Sequence, residues 1–469
     1  MSMKLFAPLL LITALAGCAA INPGQSALTE LPASQAGLQD SAISWPTTQW
    51  WLRYQDPQLD HLIGRALEGS PSLAAAQARL DMANAAVSGA RAVQLPQLNA
   101  GYSMMRERFS ENYIYPPPYG GSMQTDNSLR LDVGFDLDLW GRNRASYAAA
   151  ASQKEASVAD LQVARNSLIS SVVQSYFNLQ NSLAQETVIT KIVKQLENVA
   201  AITRQRVAAG LDTEVEVNQA DSAVSSARVQ LSQASTNAAL LRNQISALTG
   251  SGPQIGKDIR SVSLTKAPDG TPDSIPFDLL GRRPDIVAAK YRVQASSSQI
   301  SAAKAEFFPN INLSAFAGFM SLGLGNLLQS GSQAYGVGPA ITLPIFHGGA
   351  LNANLDTKQA ERDLAIANYN QTLLAAVREV ADATVAIKAL QQQSVDQAAS
   401  LRAITSAYDI AVKRYKSGLG NFVQVLLAQN EVQKQAILNT DMHTRAFNLD
   451  AQLATALGGG YGDDTKNTH

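Results

Sequence analysis

In the segment Ser128-Leu-Arg-Leu-Asp-Val-Gly-Phe-Asp-Leu-Asp-Leu139 the even positions carry Arg130, Asp132, Gly134, Asp136 and Asp138. The odd positions are Leu129, Leu131, Val133, Phe135, Leu137 and Leu139. Strict alternation of this kind describes a strand with one apolar and one polar face. Carboxylates and a guanidinium on the polar face set an electrostatic field over a wet surface; they do not by themselves make or break bonds. Most strands run about 5–6 residues, whereas about 12 fit a tilted strand with lipid on one side and water on the other. A long half-buried strand of a soluble protein would show the same alternation. The aspartates accordingly read either as a cation-favouring wall or as groups that simply wet it.

Nothing else in the chain offers reactive chemistry. His61, His347, His443 and His469 are scattered, with no H-E-x-x-H or other metal-ligand spacing, and no P-loop or G-x-S-x-G pattern occurs. No catalytic residue, cofactor or metal is expected. Thirty-seven basic against 38 acidic residues give a net charge of −1, and charged residues are 16% against a typical ~25%. That balance gives no sign of a nucleic-acid partner. Abundant Ala, Ser, Gln, Asn and Leu suit long helices packed closely on small residues.

Cys18 is the single cysteine, which excludes a disulfide framework. Lys4, the apolar run Leu5 to Ala16 and the sequence Leu15-Ala16-Gly17-Cys18 have the form of a secretory signal. Leu-Ala-Gly-Cys resembles a bacterial lipoprotein signal, which makes 1–17 a signal peptide and Cys18 the lipidated first residue. By the same resemblance, Ala19 directs the chain to the outer membrane. An ordinary signal carrying a chance cysteine is the plainer alternative. No other stretch reaches the ~18 apolar residues of a membrane helix, so anything spanning a bilayer here is a β-barrel.

The elements that must carry these residues come in duplicate. Residues 71–96 align without gaps on 284–309, placing Pro71 on Pro284, Arg79 on Arg292 and Pro96 on Pro309. Arg206-Val-Ala-Ala-Gly210-Leu returns as Arg414-Tyr-Lys-Ser-Gly418-Leu. Each copy predicts a helix, two strands (about 97–109 and 128–140; about 310–320 and 335–346), a long helix (Arg142 to about Ala208; Gly349 to about Tyr415), a glycine turn and a second helix. Pro339 and Pro344 predict a short or bulged last strand. At 1.5 Å per residue, ~67 residues make a rod of roughly 100 Å, a length typical of coiled coils.

This order on an exported lipoprotein resembles the outer-membrane factors of tripartite efflux systems, the TolC-like proteins, and within them the NodT-type lipoproteins. The likeness runs from Trp50 to about Leu457. Its most specific stretches are Trp50-Trp51 through Asp56-Pro57, Leu280-Gly-Arg-Arg-Pro-Asp-Ile286 with Phe308-Pro309, and the two glycine turns. Four strands cannot close a barrel whose smallest single-chain form has about eight. The resemblance implies a homotrimer with a twelve-stranded transmembrane β-barrel, four strands per chain, continuous with a periplasmic coiled-coil barrel, an α+β membrane protein. It implies as partners a periplasmic adaptor, an inner-membrane pump and outer-membrane lipid. Boundaries follow: a lipidated, extended tether 18–49, first repeat 50–260 with its tip near 210, second repeat 261–457 with its tip near 418, and a flexible tail 458–469.

The resemblance also implies site residues. Its periplasmic gate pairs an acidic residue with a tyrosine, which fall here on Glu216 and Tyr415. A tyrosine hydroxyl donating to a carboxylate makes a strong, charge-assisted bond; a solvated helix-face charge is the plain alternative for Glu216. Val207, Gly210, Leu211, Gly418 and Leu419 correspond to the adaptor-contact tips, while the glycines also suit helix C-caps. Arg130, Asp132, Asp136 and Asp138 line the barrel lumen. Gly420, Gln424 and Leu427 stand where the best-known pattern has an arginine and two aspartates, so a tip closed by Phe422, Leu426 and Leu427 is expected in place of an acidic ring. The sequence thus predicts the exit channel of an efflux system for small molecules. An exit duct for type I protein secretion shares the architecture, and a channel-free coiled-coil lipoprotein shares the helices.

Overall fold

The computed structural model describes residues 28–39, 43–263, 272 and 274–462. Cys18 and the signal lie outside the described residues.

Helix α1 (Pro57–Gly69) starts where Asp56 accepts from the N–H groups of Gln58 and Leu59, with proline at its first position. Helix α2 spans Pro71–Ala92 and is followed by strands β1 (Gln97–Arg108) and β2 (Met123–Asp136). Next come α3 (Arg142–Ala208) and α4 (Glu214–Leu248). After a single helical turn, Leu279–Arg282, the pattern repeats as α5 (Pro284–Ala305), β3 (Asn310–Leu322), β4 (Gln333–Thr342), α6 (Ala350–Lys416) and α7 (Phe422–Ala456). The helices of the two copies match in length: 22 and 22, 67 and 67, 35 and 35 residues. No helix among the described residues is long and apolar enough to cross a membrane.

The four strands form one antiparallel sheet in the order β1-β2-β3-β4. Its ladders run without a bulge, from Gln97↔Gly134 to Arg108↔Met123, Asp126↔Leu322 to Asp136↔Asn312, and Asn310↔Thr342 to Phe319↔Gln333. Pro339 is therefore accommodated in regular pairing on an edge strand, and β4 stops at Thr342, two residues before Pro344. The register puts Leu98, Leu129, Leu131, Val133, Leu313, Phe319, Tyr335, Val337 and Ile341 on one face. Many of them are open to the outside: Tyr335 is 81% exposed, Val337 75% and Leu98 66%. The opposite face carries Asn99, Ser103, Asp126, Ser128, Arg130, Asp132, Ser314 and several glycines.

The chain divides into two compact units, and each draws on both repeats. One contains the sheet, within Arg79–Val158 and Ala288–Asn370. The other contains Leu31–Ala78, Ala159–Val287 and the segment from Gln371 onward. Its core gathers Trp50, Trp51, Leu59, Ile63, Val172, Tyr176, Phe177, Ile245 and Phe447. Arg53 and Tyr54 both reach the buried Asp450, at 2.6 and 2.7 Å, which explains the aromatic signature around Trp50 as a clamp onto α7. Arg283 is buried and gives bonds to Asp285, Glu379 and the Ala456 carbonyl, tying the start of α5 to α6 and α7.

Two glycines make the repeat visible in three dimensions. A Cβ on Gly250 would lie 2.0 Å from the Gly69 carbonyl oxygen, and one on Gly458 would lie 1.9 Å from that of Arg282. Both have positive φ, 67° and 98°, so each copy closes the second helix onto the turn before its first with a residue that only glycine can be.

Two expected boundaries change. Residues 458–460 are buried, with the Gly458 carbonyl accepting from Asn166 at 2.8 Å, so the flexible tail does not begin at 458. The tether is not extended throughout: it turns at 33–37, buries Ala36 and Leu38, and pairs Gln39 with Pro276.

Candidate functional site

Both hairpin tips end in the same turn. Gly210 N–H donates to the Val207 carbonyl and Leu211 N–H to that of Arg206, each at 2.9 Å. Gly418 and Leu419 repeat this onto Tyr415 and Arg414, at 3.1 and 2.9 Å. Such paired bonds around a left-handed residue are a Schellman cap, and the two glycines have φ of 71° and 74°. The caps leave Leu211 and Leu419 standing out, 63% and 72% exposed, while Val207 is half-buried.

Between the tips the copies cease to be equivalent. Tyr415 is 1% exposed, packs its ring edge-on to Phe422, and donates its hydroxyl to Asp212 Oδ2 at 2.5 Å. Arg206 grips the same carboxylate with two N–H groups, at 2.8 and 3.2 Å, and donates a third bond to the Tyr415 carbonyl at 3.0 Å. Its guanidinium also lies 4.6 Å from the centre of the tyrosine ring. Bonds from Arg206 hold the Asp212 carboxyl below its ordinary 3.8, and burial pushes the Tyr415 hydroxyl above 10.0. At the corresponding positions of the other copy stand Val207 and Gly420, so this fastening exists once per chain.

The expected partner of Tyr415 was Glu216. Within the chain, Glu216 instead accepts from the N–H and hydroxyl of Thr213, at 2.9 and 2.5 Å, completing a capping box at the start of α4. These bonds hold its carboxyl below 4.5. The carboxylate that meets Tyr415 lies four residues earlier. Gln424 is exposed, with its N–H on Asn421 Oδ1, the N-cap of α7. Leu427 is 65% exposed and does not pack within the chain, unlike Phe422 and the half-buried Leu426. Arg206, Asp212 and Thr213 were not singled out by sequence reasoning. Thr213-x-x-Glu216 is itself a readable capping signature, which commits Glu216 to its own helix start and leaves Asp212 as a carboxylate beside it.

On the polar face of the sheet, each expected wall aspartate has its own arginine. Asp132 pairs with Arg130 at 2.7 Å, Asp136 with Arg142 at 2.9 Å and Asp138 with Arg144 at 3.2 Å. Strand β2 ends at Asp136, three residues before the alternation does. Asp138 takes a positive φ of 46° and accepts from the N–H groups of Asn143 and Arg144, satisfying free donors in the first turn of α3. It lies two residues beyond the end of β2 and anchors the first turn of α3. The charge of each of these aspartates is thus balanced locally by Arg130, Arg142 or Arg144, a pairing that alternation alone does not reveal.

A profile of outer membrane efflux proteins matches residues 62–251 and again residues 275–459. The chain belongs to the outer membrane efflux protein family. The double match coincides with the duplicated helices and strands. Within this family it is 34% identical over 469 residues to the multidrug resistance outer membrane protein MdtQ of Escherichia coli O6:H1, covering 97% of each chain. It is 36% identical over 356 residues to the fusaric acid resistance protein FusA of Burkholderia cepacia, covering 74% of this chain and 67% of that one. Among solved structures, the outer membrane protein VceC of Vibrio cholerae superposes with a TM-score of 0.85 at 34% identity, over 89% of this chain and 100% of the other. The chain is an efflux channel protein of the outer membrane.

Proposed function

We propose that this chain is the outer-membrane exit duct of a tripartite efflux system. In this reading it carries drugs or other small toxic compounds outward from an inner-membrane pump and a periplasmic adaptor. The observation that carries the reading is the sheet: a four-stranded ladder with an exposed apolar face, a polar opposite face, and two unpaired edges at β1 and β4. Open edges are not viable in lipid, and four strands are too few to close. Copies joined β4 to β1 close the barrel, and three copies give the twelve strands that the family resemblance implies. The aromatic pair Trp140 and Phe308, stacked at 4.7 Å in the segments just after β2 and just before β3, suits the lipid–water boundary.

Within this duct the Arg206–Asp212–Tyr415 cluster fastens the closed periplasmic tip, Glu216 shapes the start of the helix beside it, and the exposed Leu211 and Leu419 at the glycine turns meet the adaptor. Cys18 carries the lipid anchor. The names of MdtQ and FusA, which concern drug and fusaric acid resistance, support small-molecule efflux over protein secretion. The test is the oligomeric mass of the detergent-solubilised protein together with single-channel conductance of the same sample in a planar bilayer. A trimer giving small currents that rise when the tip is disrupted is expected. A monomer that never inserts would overturn the reading.

A further inference from the structure

The polar face of the sheet holds one aromatic ring. The register aligns Asn99, Asp132, Phe316 and Gly336 in one row, with Gly101, Arg130, Gly318 and Ala334 in the next. Phe316 lies across the bare backbone of β4, where a Cβ on Gly336 would come within 2.8 Å of the ring. Beside it the backbones of β2 and β3 approach closely, since a Cβ on Gly318 would lie 2.1 Å from the Leu129 carbonyl oxygen. Into this cleared space Arg130 lays its guanidinium 4.2 Å from the centre of the Phe316 ring. One edge of the guanidinium is held by Asp132 at 2.7 Å. Nε is buried without a partner, and the side chain keeps 35% of its surface open.

We propose that Arg130 and Phe316 form a contact site on the channel wall for small planar aromatic anions in transit. A guanidinium is planar and stacks on π systems. Phe316 occupies one of its faces, which leaves the other for the ring of a passing solute while the guanidinium charge attracts that solute's anionic group. Asp132 cancels the long-range charge of Arg130, so attraction acts only at contact. A weak, short-range site of this kind suits conduction, which requires binding favourable enough to enter and weak enough to leave. The proposal rests on the duct reading, because only a water-filled lumen brings solutes to this face.

Benzoate and cyclohexanecarboxylate carry the same charge and have similar size, but only benzoate can stack. Both are added, at equal concentration, to the strand-loop side of single channels in a planar bilayer. Wild type is expected to show a current reduction by benzoate about two- to fivefold larger than by the saturated acid, as one exposed cation–π contact implies. Phe316→Leu, which keeps bulk without a π face, and Arg130→Lys, which keeps charge without a plane, should each abolish the difference. Equal effects of the two acids on wild-type channels, or a difference that survives in both variants, would overturn the site while leaving the duct intact. Protein that never forms channels would remove the lumen, and the site with it.

Discussion

The Tyr415 hydroxyl donates to Asp212 across 203 positions of sequence, joining the second tip to the first. The two residues lie at non-equivalent points of a duplicated chain, so the bond cannot be a relic of an ancestral pair repeated in each copy. Asp212 has no counterpart carboxylate at Gly420, and Tyr415 has no counterpart hydroxyl at Val207. Arg206 and Arg414 are equivalent by position yet differ in use: the first holds Asp212, the second donates to the Leu419 carbonyl at 3.2 Å.

Removing either end of this bond should open the tip. A hydrogen bond to a charged group contributes about 1.5–3 kcal/mol, so Tyr415→Phe should shift the opening equilibrium by roughly 10- to 150-fold at 1.4 kcal/mol per decade, and Asp212→Ala, which also loses both Arg206 bonds, by more. Glu216→Ala removes a helix cap and should leave single-channel current near wild type. The double variant of Tyr415 and Asp212 should add little to Asp212→Ala alone. A Glu216 variant that opens the channel more than Asp212→Ala would overturn the assignment.

The same bond fixes a pH window. Asp212 has a folded pKa below its ordinary 3.8, so its contribution is present above that value and disappears as pH falls through the depressed one. Tyr415 has a folded pKa above its ordinary 10.0, so its donor proton is present below that value and is lost as pH rises through the elevated one. Closed-channel current should stay flat from about pH 5 to about pH 9 and rise at both extremes. In Asp212→Asn the acid limb should vanish; an unchanged acid limb would place the titrating group elsewhere.

Local pairing of the wall aspartates predicts weak ion selectivity. Arg142→Gln frees Asp136 and should move the reversal potential in a KCl gradient toward the cation limit. Asp132→Asn frees Arg130 and should move it the other way. Identical reversal potentials for the two variants would show that these pairs do not face the conducting path.

Gln429 occupies a core position of α7, on the stripe Phe422, Val425, Gln429, Val432, at 1% exposure. Neither its amide nitrogen nor its carbonyl oxygen has a partner. An unsatisfied buried polar group costs about 1–3 kcal/mol, so Gln429→Met should raise the thermal unfolding midpoint of the solubilised protein. A lower midpoint would show that the amide is bonded in solution.

Much of this architecture was legible because it depends on period and composition. Alternation from Leu129 to Phe135 reports a strand whatever surrounds it, and the lack of proline or interior glycine from Arg142 to Ala208 leaves a helix no place to stop. Local competition was harder to read. Leu137 and Leu139 continue the alternation, but Asp138 is drawn to the free N–H groups of α3 and ends the strand first. At the tip, position relative to Gly210 pointed to Glu216, while side-chain geometry chose Asp212. Spacing cannot distinguish a carboxylate bonded to its own helix start from one that faces another hairpin.

The equal lengths of the paired helices limit how this chain can change by insertion or deletion. Helices α3 and α6 both begin after strands of one sheet, and they end at tips that Arg206, Asp212 and Tyr415 tie together. A residue deleted from one helix alone would draw its tip back about 1.5 Å and rotate it by about 100°, pulling Tyr415 away from Asp212. Only matched changes of whole turns in both copies preserve that contact. Lineages that lengthen or shorten such a duct must therefore change both hairpins together, α3 with α4 and α6 with α7, by equal steps.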